Sequence, residues 1–216
     1  MGKVELNKRQ KMESLLNTAF SLFTSKGFQK TSISDIVANA GVAKGTFYLY
    51  FTDKYDLRNK LIAHKAGQLF LDACRSVHEQ NITEFEHQII YISDYITDRL
   101  SEDKTLLGFI SKHLSWGLFR NNLIAESDGN SQNVYQAFVQ LLRESGCQFR
   151  DPEIMIYMLV ELVSGSIYNP LLYEQPAPLA QIKPYLHKSI RFLVRQHVIT
   201  TDTAPTAPDI FAVSKG

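Results

Sequence analysis

Thr31-Ser32-Ile33-Ser34-Asp35-Ile36-Val37-Ala38-Asn39-Ala40-Gly41-Val42-Ala43-Lys44-Gly45-Thr46-Phe47-Tyr48-Leu49-Tyr50-Phe51 reads as two short helices joined by a tight turn. Ser32 followed three residues later by Asp35 is a variant of the capping box, in which the cap side chain and the third helical residue satisfy each other's backbone N–H. Ser32 is therefore the expected N-cap. The helix it opens would bury Ile33, Ile36, Val37 and Ala40, and Gly41 would stop it. A second short helix is expected from Ala43 to Tyr50. Its Phe47 and Phe51 stand four residues apart and belong on one buried side, whereas Lys44, Gly45 and Tyr48 fall on another, outward face.

Upstream, Met12, Leu15, Leu16, Ala19, Phe20 and Phe23 follow the i, i+3, i+4, i+7 series of an amphipathic helix. Gly27 after Lys26 is the glycine stop, and Phe28 sits where a capping hydrophobic contact falls. Downstream, Asp53 and Asp56 open a long helix whose inward face is Leu57, Leu61, Ile62, Leu69 and Phe70. Further helices are expected near 82–100, 103–120, 131–145, 152–168 and 178–198. The loop from Asn169-Pro170 to Pro178 separates the last two, and Pro184 moves the expected start of the last toward Ile182. No strand-period segment of useful length is present. The fold class expected is all-α, with three N-terminal helices over 1–53, a helical body over 54–200 and a flexible tail over 201–216.

Composition bounds the function. The chain has 216 residues, 44% hydrophobic and 21% charged, with a net charge of only +1. The first 60 residues, however, hold ten Lys and Arg against five acids, and the remainder is net acidic. A basic N-terminal quarter on an acidic body suits a module that meets phosphate. The two cysteines, Cys74 and Cys147, form no Cys-x-x-Cys pair, which excludes a zinc ribbon or a thioredoxin-type motif. No apolar leader follows Met1 and no run approaches the ~20 apolar residues of a membrane span. A cytoplasmic protein without a membrane partner is expected.

Three helices with a glycine-bearing turn between the second and third form a helix-turn-helix. In that geometry the third helix enters the major groove of duplex DNA. Lys44 can reach a guanine edge or a phosphate, Thr46 can use its hydroxyl or methyl, and Tyr48 and Tyr50 can each give a phenolic hydroxyl to a phosphate. Gly45, costly inside a helix, makes sense where a backbone approaches something closely. Ser32 can offer its hydroxyl and backbone N–H to a phosphate. Blander readings stand beside these: Tyr50 as a packing cap, Gly45 as a neutral accident, Lys54 as a partner of Asp53 or Asp56.

The run Leu15–Phe23, Gly27-Phe28, Thr31 to Ile36, Ala40 to Tyr48, Tyr50-Phe51 and Asp53 to Leu57 resembles the N-terminal domain of TetR-family regulators, in register over residues 10–60. The resemblance implies a homodimeric repressor that leaves a palindromic double-stranded DNA operator when a small-molecule effector binds its body. It implies DNA contacts from Thr31, Ser32, Ser34, Lys44, Gly45, Thr46, Tyr48, Tyr50 and Lys54. Two positions depart from the pattern. Ser34 stands where many members have a long base-reading side chain, and Tyr50 replaces the commoner histidine.

Beyond residue 60 only the all-helical layout is shared. Aromatics on apolar faces fill a core or line an effector cavity. The residues singled out for a cavity are Phe70, Cys74, Tyr95, Phe109, His113, Trp116 and Phe138. By the resemblance the last two helices form the dimer interface, through Met158, Leu162, Leu186, Ile190 and Leu193; the alternative is that both pack on their own body. A DNA-binding regulator gated by a protein partner, and a helical enzyme, are the competing functions. Enzyme readings find little: Glu84 and His87 make one Glu-x-x-His step where di-iron bundles need two. Asp94 and Asp98 lack a His or Cys nearby in sequence, and Ser164-Gly165-Ser166 lacks a strand-turn context. The six histidines show no metal-ligand spacing, and no cofactor is expected.

Overall fold

The computed structural model describes residues 3–111 and 134–199, which form helices and one pair of two-residue strands. Helix α1 (Lys3–Ser25) buries Leu15, Leu16, Ala19 and Phe23. It begins well before Met12 because its first turns stand in solvent, where helix formation needs no apolar stripe. Hydroxyls of Thr24 and Ser25 donate to the carbonyls of Phe20 (2.7 Å) and Ser21 (2.6 Å), and Gly27 turns the chain at φ +89°. Helix α2 (Ile33–Ala40) has the full capping box and ends on Gly41 at φ +67°, a left-handed conformation that glycine adopts without a Cβ penalty. Helix α3 (Lys44–Tyr48) is shorter than the expected 43–50, although the N–H groups of Tyr50 and Phe51 both still reach the Phe47 carbonyl at 3.0 Å. Helix α4 runs Lys54–Glu79.

The described chain divides into two compact units, 3–68 with 108–111, and 69–107 with 134–199. The first turns of α4, past the boundary expected at 53/54, belong to the first unit. Their Leu57 and Leu61 complete the core made by Leu15, Leu16, Ala19, Phe23, Ile36, Val37, Phe47 and Phe51. Burying side chains of this size stabilises by about 1.5–3 kcal/mol each before the entropy of ordering them is set against it. Phe109 lies edge-on to Phe20 at 5.4 Å and stacks with Phe23 at 6.5 Å. Phe109, singled out for an effector cavity, is half-buried and packs against the core of the first unit.

The second unit holds α5 (Phe85–Glu102), the start of α6 (Lys104–Ser111), α7 (Val134–Glu144), α8 (Pro152–Tyr173) and α9 (Leu179–His197). Strands β1 (Gln148–Phe149) and β2 (Val198–Ile199) pair antiparallel, Gln148 opposite Ile199, where no strand was expected. Pro170 does not end α8. The helix continues to Tyr173 and stops at Glu174 (φ 54°), whose N–H reaches the Pro170 and Asn169 carbonyls. Pro184 likewise lies inside α9, which starts at Leu179 rather than near Ile182.

Two ion pairs and a hydrogen-bond contact tie α9 to α5: Arg195 to Glu86 through two hydrogen bonds (2.6 and 2.9 Å), Lys183 to Asp98 (2.7 Å), and His187 Nε2 to Asp94 Oδ1 (3.0 Å). Leu186, Ile190 and Leu193 are buried in this packing. In the single chain these three, expected at a dimer interface, therefore leave little surface for a second copy. Met158 is exposed and Leu162 half-buried. Among the described residues α8 is long and apolar enough to cross a membrane by length and composition (mean hydropathy 1.3), which revises the expectation that no such run exists.

Candidate nucleic-acid interface

The display of α3 follows from two rings. Phe47 and Phe51 are 0% and 1% exposed and lie 5.4 Å apart, so one side of the helix is locked into the core. At 100° per residue Gly45 and Leu49 then fall opposite the two rings, with Lys44 and Tyr48 on the adjacent flank. Lys44, Gly45, Tyr48 and Leu49 are all exposed, and Thr46 is half-buried at their flank. A Cβ built on Gly45 would meet no atom within 4 Å, and its φ is not in the left-handed region. The fold itself does not require glycine there.

The start of α2 presents Ser32 and Ser34, both exposed. The Ser32 N–H donates to Asp35 Oδ2 (2.9 Å) while Ser32 Oγ accepts from the Asp35 N–H (3.1 Å). The backbone N–H expected to meet phosphate is thus already engaged, which leaves the serine hydroxyl hydrogen as donor. Asp35 Oδ2 also accepts from Lys26 Nζ at 2.9 Å. The Ser32 backbone N–H first, then the Lys26 ammonium and the Ser32 hydroxyl, lower the Asp35 carboxyl from 3.8 to about 2.

Three residues expected to contact DNA have hydrogen-bond partners inside the fold. Thr31 is 0% exposed, and its hydroxyl donates to the Gly27 carbonyl (2.9 Å) with Leu22 O at 3.3 Å. It shapes the α1–α2 loop and does not face outward. Lys54 pairs with neither Asp53 nor Asp56; its ammonium donates to the carbonyls of Phe28 and Thr31, both at 2.9 Å, and lies 4.4 Å from the centre of the Phe28 ring. The Tyr50 hydroxyl donates to the Lys8 carbonyl at 3.1 Å, so it packs the loop after α3 against α1. Residues that the sequence did not single out complete the arrangement. Lys60 donates to Tyr50 O (2.9 Å) and to Asp56 Oδ2 (3.1 Å), and Asp56 accepts the Thr52 N–H. The bonds to the Tyr50 carbonyl and the Thr52 N–H leave no sequence signal, whereas the i,i+4 spacing of Asp56 and Lys60 is one. Leu49 had one: an apolar residue on a face otherwise assigned to polar contacts.

The expected effector residues of the second unit are spread over α4, α5 and α7. Phe70 and Cys74, one turn apart on α4, are buried, and burial pushes the Cys74 thiol up to about 12. Phe138 on α7 is buried, and Tyr95 on α5 is half-buried beside Tyr91 at 6.4 Å. His113 and Trp116 lie outside the described residues. Two buried polar atoms of α5, Gln88 Oε1 and Ser93 Oγ, have no hydrogen-bond partner among the described residues. The Glu84–His87 pair is an exposed 3.0 Å contact on one helix face, and Asp94 and Asp98 are occupied by His187 and Lys183.

Residues 15–61 match the family described as bacterial regulatory proteins, tetR family. An uncharacterized HTH-type transcriptional regulator of Bacillus subtilis is 44% identical over 63 residues, 27% of this chain and 32% of that protein. The fatty acid metabolism regulator protein of the same organism is 31% identical over 90 residues, 42% of this chain and 46% of its own length. The chain thus spans less than half the length of either relative. A TetR transcriptional regulator from Rhodococcus sp. RHA1 superposes with a TM-score of 0.61 at 15% identity, over 87% of this chain and 97% of that one. At that identity the likeness is one of fold.

Proposed function

We propose that this chain is a regulator of the tetR family, whose model its residues 15–61 match, and that it is a homodimeric repressor that binds a palindromic DNA operator and leaves it when a small apolar or aromatic effector occupies the body. The observation that carries the reading is the outward surface of α3. Phe47 and Phe51 hold Lys44, Gly45 and Tyr48 away from the core, on the most basic part of the chain. Ser32, Ser34 and Thr46 flank that surface.

A dimer gives such a short reading helix a physical sufficiency it lacks alone, since two half-sites about one helical turn apart multiply affinity. Apolar residues left uncovered on α8 and α9 support it: Ile154, Met158, Tyr173, Tyr185 and Phe192. A second copy seated there also accounts for the length and hydropathy of α8 without a membrane, and a protein that reads chromosomal DNA works in the cytoplasm. Gln88 Oε1 and Ser93 Oγ, buried in the second unit without a partner among the described residues, favour a small molecule over a protein partner as the signal. The fatty acid metabolism regulator among the relatives makes acyl compounds the first to try.

The test is binding of the full chain to a duplex selected from a random pool, over a salt series. Affinity should fall linearly with salt on logarithmic axes, by roughly 0.9 per phosphate contacted. Lys44→Ala with Tyr48→Ala should abolish selection of that duplex while leaving the helical content unchanged. Intact binding by the double variant would overturn the site, and an effector must raise the thermal midpoint.

A further inference from the structure

Leu49 is the most exposed large apolar side chain among the described residues, at 78%. It caps the C-terminal end of α3, one turn after Gly45 on the same stripe, and stands between the exposed Tyr48 and the engaged Tyr50. A side chain of this kind cannot accept or donate a hydrogen bond, and in the fold it is left to water. Base edges in the major groove offer one apolar target, the 5-methyl of thymine. Gly45 removes the side chain that would otherwise hold the helix off at the preceding turn, and nothing inside the protein asks for that removal. We propose that Leu49 reads a thymine methyl group in each half-site, with Gly45 supplying the closeness of approach that brings it there. The inference rests on the DNA-binding reading and adds a sequence preference to it.

The probe is the duplex enriched by the full-length chain from a random pool, with each thymine of one half-site replaced in turn by deoxyuridine, which lacks only the methyl. At one position, or two adjacent ones, wild-type affinity should drop roughly fourfold, the factor for returning one methyl-sized contact to water. Leu49→Ala should bind more weakly to the thymine duplex and show no difference between thymine and deoxyuridine at that position. Leu49→Met should keep the difference. The thermal midpoint of both variants should match wild type, because Leu49 has almost no buried surface to lose. Failure to enrich any duplex would overturn the DNA-binding reading itself. An enriched duplex without methyl dependence, or a dependence that persists undiminished in Leu49→Ala, would overturn the role of Leu49 and leave DNA binding standing.

Discussion

The ammonium of Lys54 lies 2.9 Å from the carbonyl oxygen of Thr31, across 23 residues of sequence. With the matching bond to Phe28 it fastens the first turn of α4 to the α1–α2 loop. Lys60 fastens the second turn to the loop after α3. Lys54→Ala should therefore lower stability by about 1–3 kcal/mol, the range for hydrogen bonds made by a charged donor. The salt slope of DNA binding should stay as in wild type. An unchanged thermal midpoint with a slope reduced by about one would instead make Lys54 a phosphate contact.

Thr31→Val keeps the shape of a buried side chain and removes its hydroxyl, leaving the Gly27 carbonyl without its 2.9 Å donor. A cost of about 1–3 kcal/mol is expected in denaturant unfolding. The affinity of the folded variant for its duplex should be close to wild type, since Thr31 does not face outward. A large affinity loss at unchanged stability would place Thr31 in the interface after all.

Asp35 supplies a pH signature. Its carboxyl titrates at about 2 in the fold against 3.8 ordinarily, so the ionised form is the one the native state favours. Stability from this group is present above about pH 4 and is lost as pH falls through the folded value. Asp35→Asn should melt lower than wild type at pH 6, and the gap should close between pH 4 and 2. A gap independent of pH would show that the carboxylate charge is immaterial to the cap.

The buried and the exposed positions of α8 and α9 should respond differently to substitution. Ile190→Ala removes a fully buried side chain and should cost about 2–5 kcal/mol of stability. Met158→Glu with Phe192→Glu places charge on exposed apolar positions and should yield a folded monomer by sedimentation equilibrium. A double variant that still sediments as a dimer would remove these residues from the interface.

The two thiols should separate cleanly. Cys74 is buried with its titration pushed up to about 12, and Cys147 is exposed. One thiol per chain should react with a soluble disulfide reagent at pH 8, rising to two in denaturant. Two fast-reacting thiols in the native protein would contradict the burial of Cys74.

The helix-turn-helix was legible because its signals are local. The Ser32–Asp35 box, Gly41 and the Phe47–Phe51 spacing each act within a turn or two of chain. What the sequence did not show depends on distant partners. A threonine hydroxyl or a lysine ammonium can meet a phosphate or a carbonyl of its own chain, and only the fold brings Gly27 to Thr31 or Phe28 to Lys54. The apolar stripe Leu186, Ile190 and Leu193 has the same periodicity whether it meets its own body or a second copy. The first turns of α1 carried no apolar pattern because they have no core to face. Pro170 misled for a simpler reason: proline disfavours a helix interior without forbidding it when the packing on either side holds the helix together.

The division of labour along α3 also has an evolutionary reading. Phe47 and Phe51 carry the attachment of the helix, while a side chain at position 45 would start in open space and Leu49 is 78% exposed. Substitutions on the Gly45–Leu49 stripe consequently start with almost no thermodynamic penalty and need no compensating change elsewhere. A protein built this way can acquire a new DNA address by point mutation while its architecture stays fixed, and a laboratory library confined to positions 45 and 49 should return folded proteins at nearly every draw.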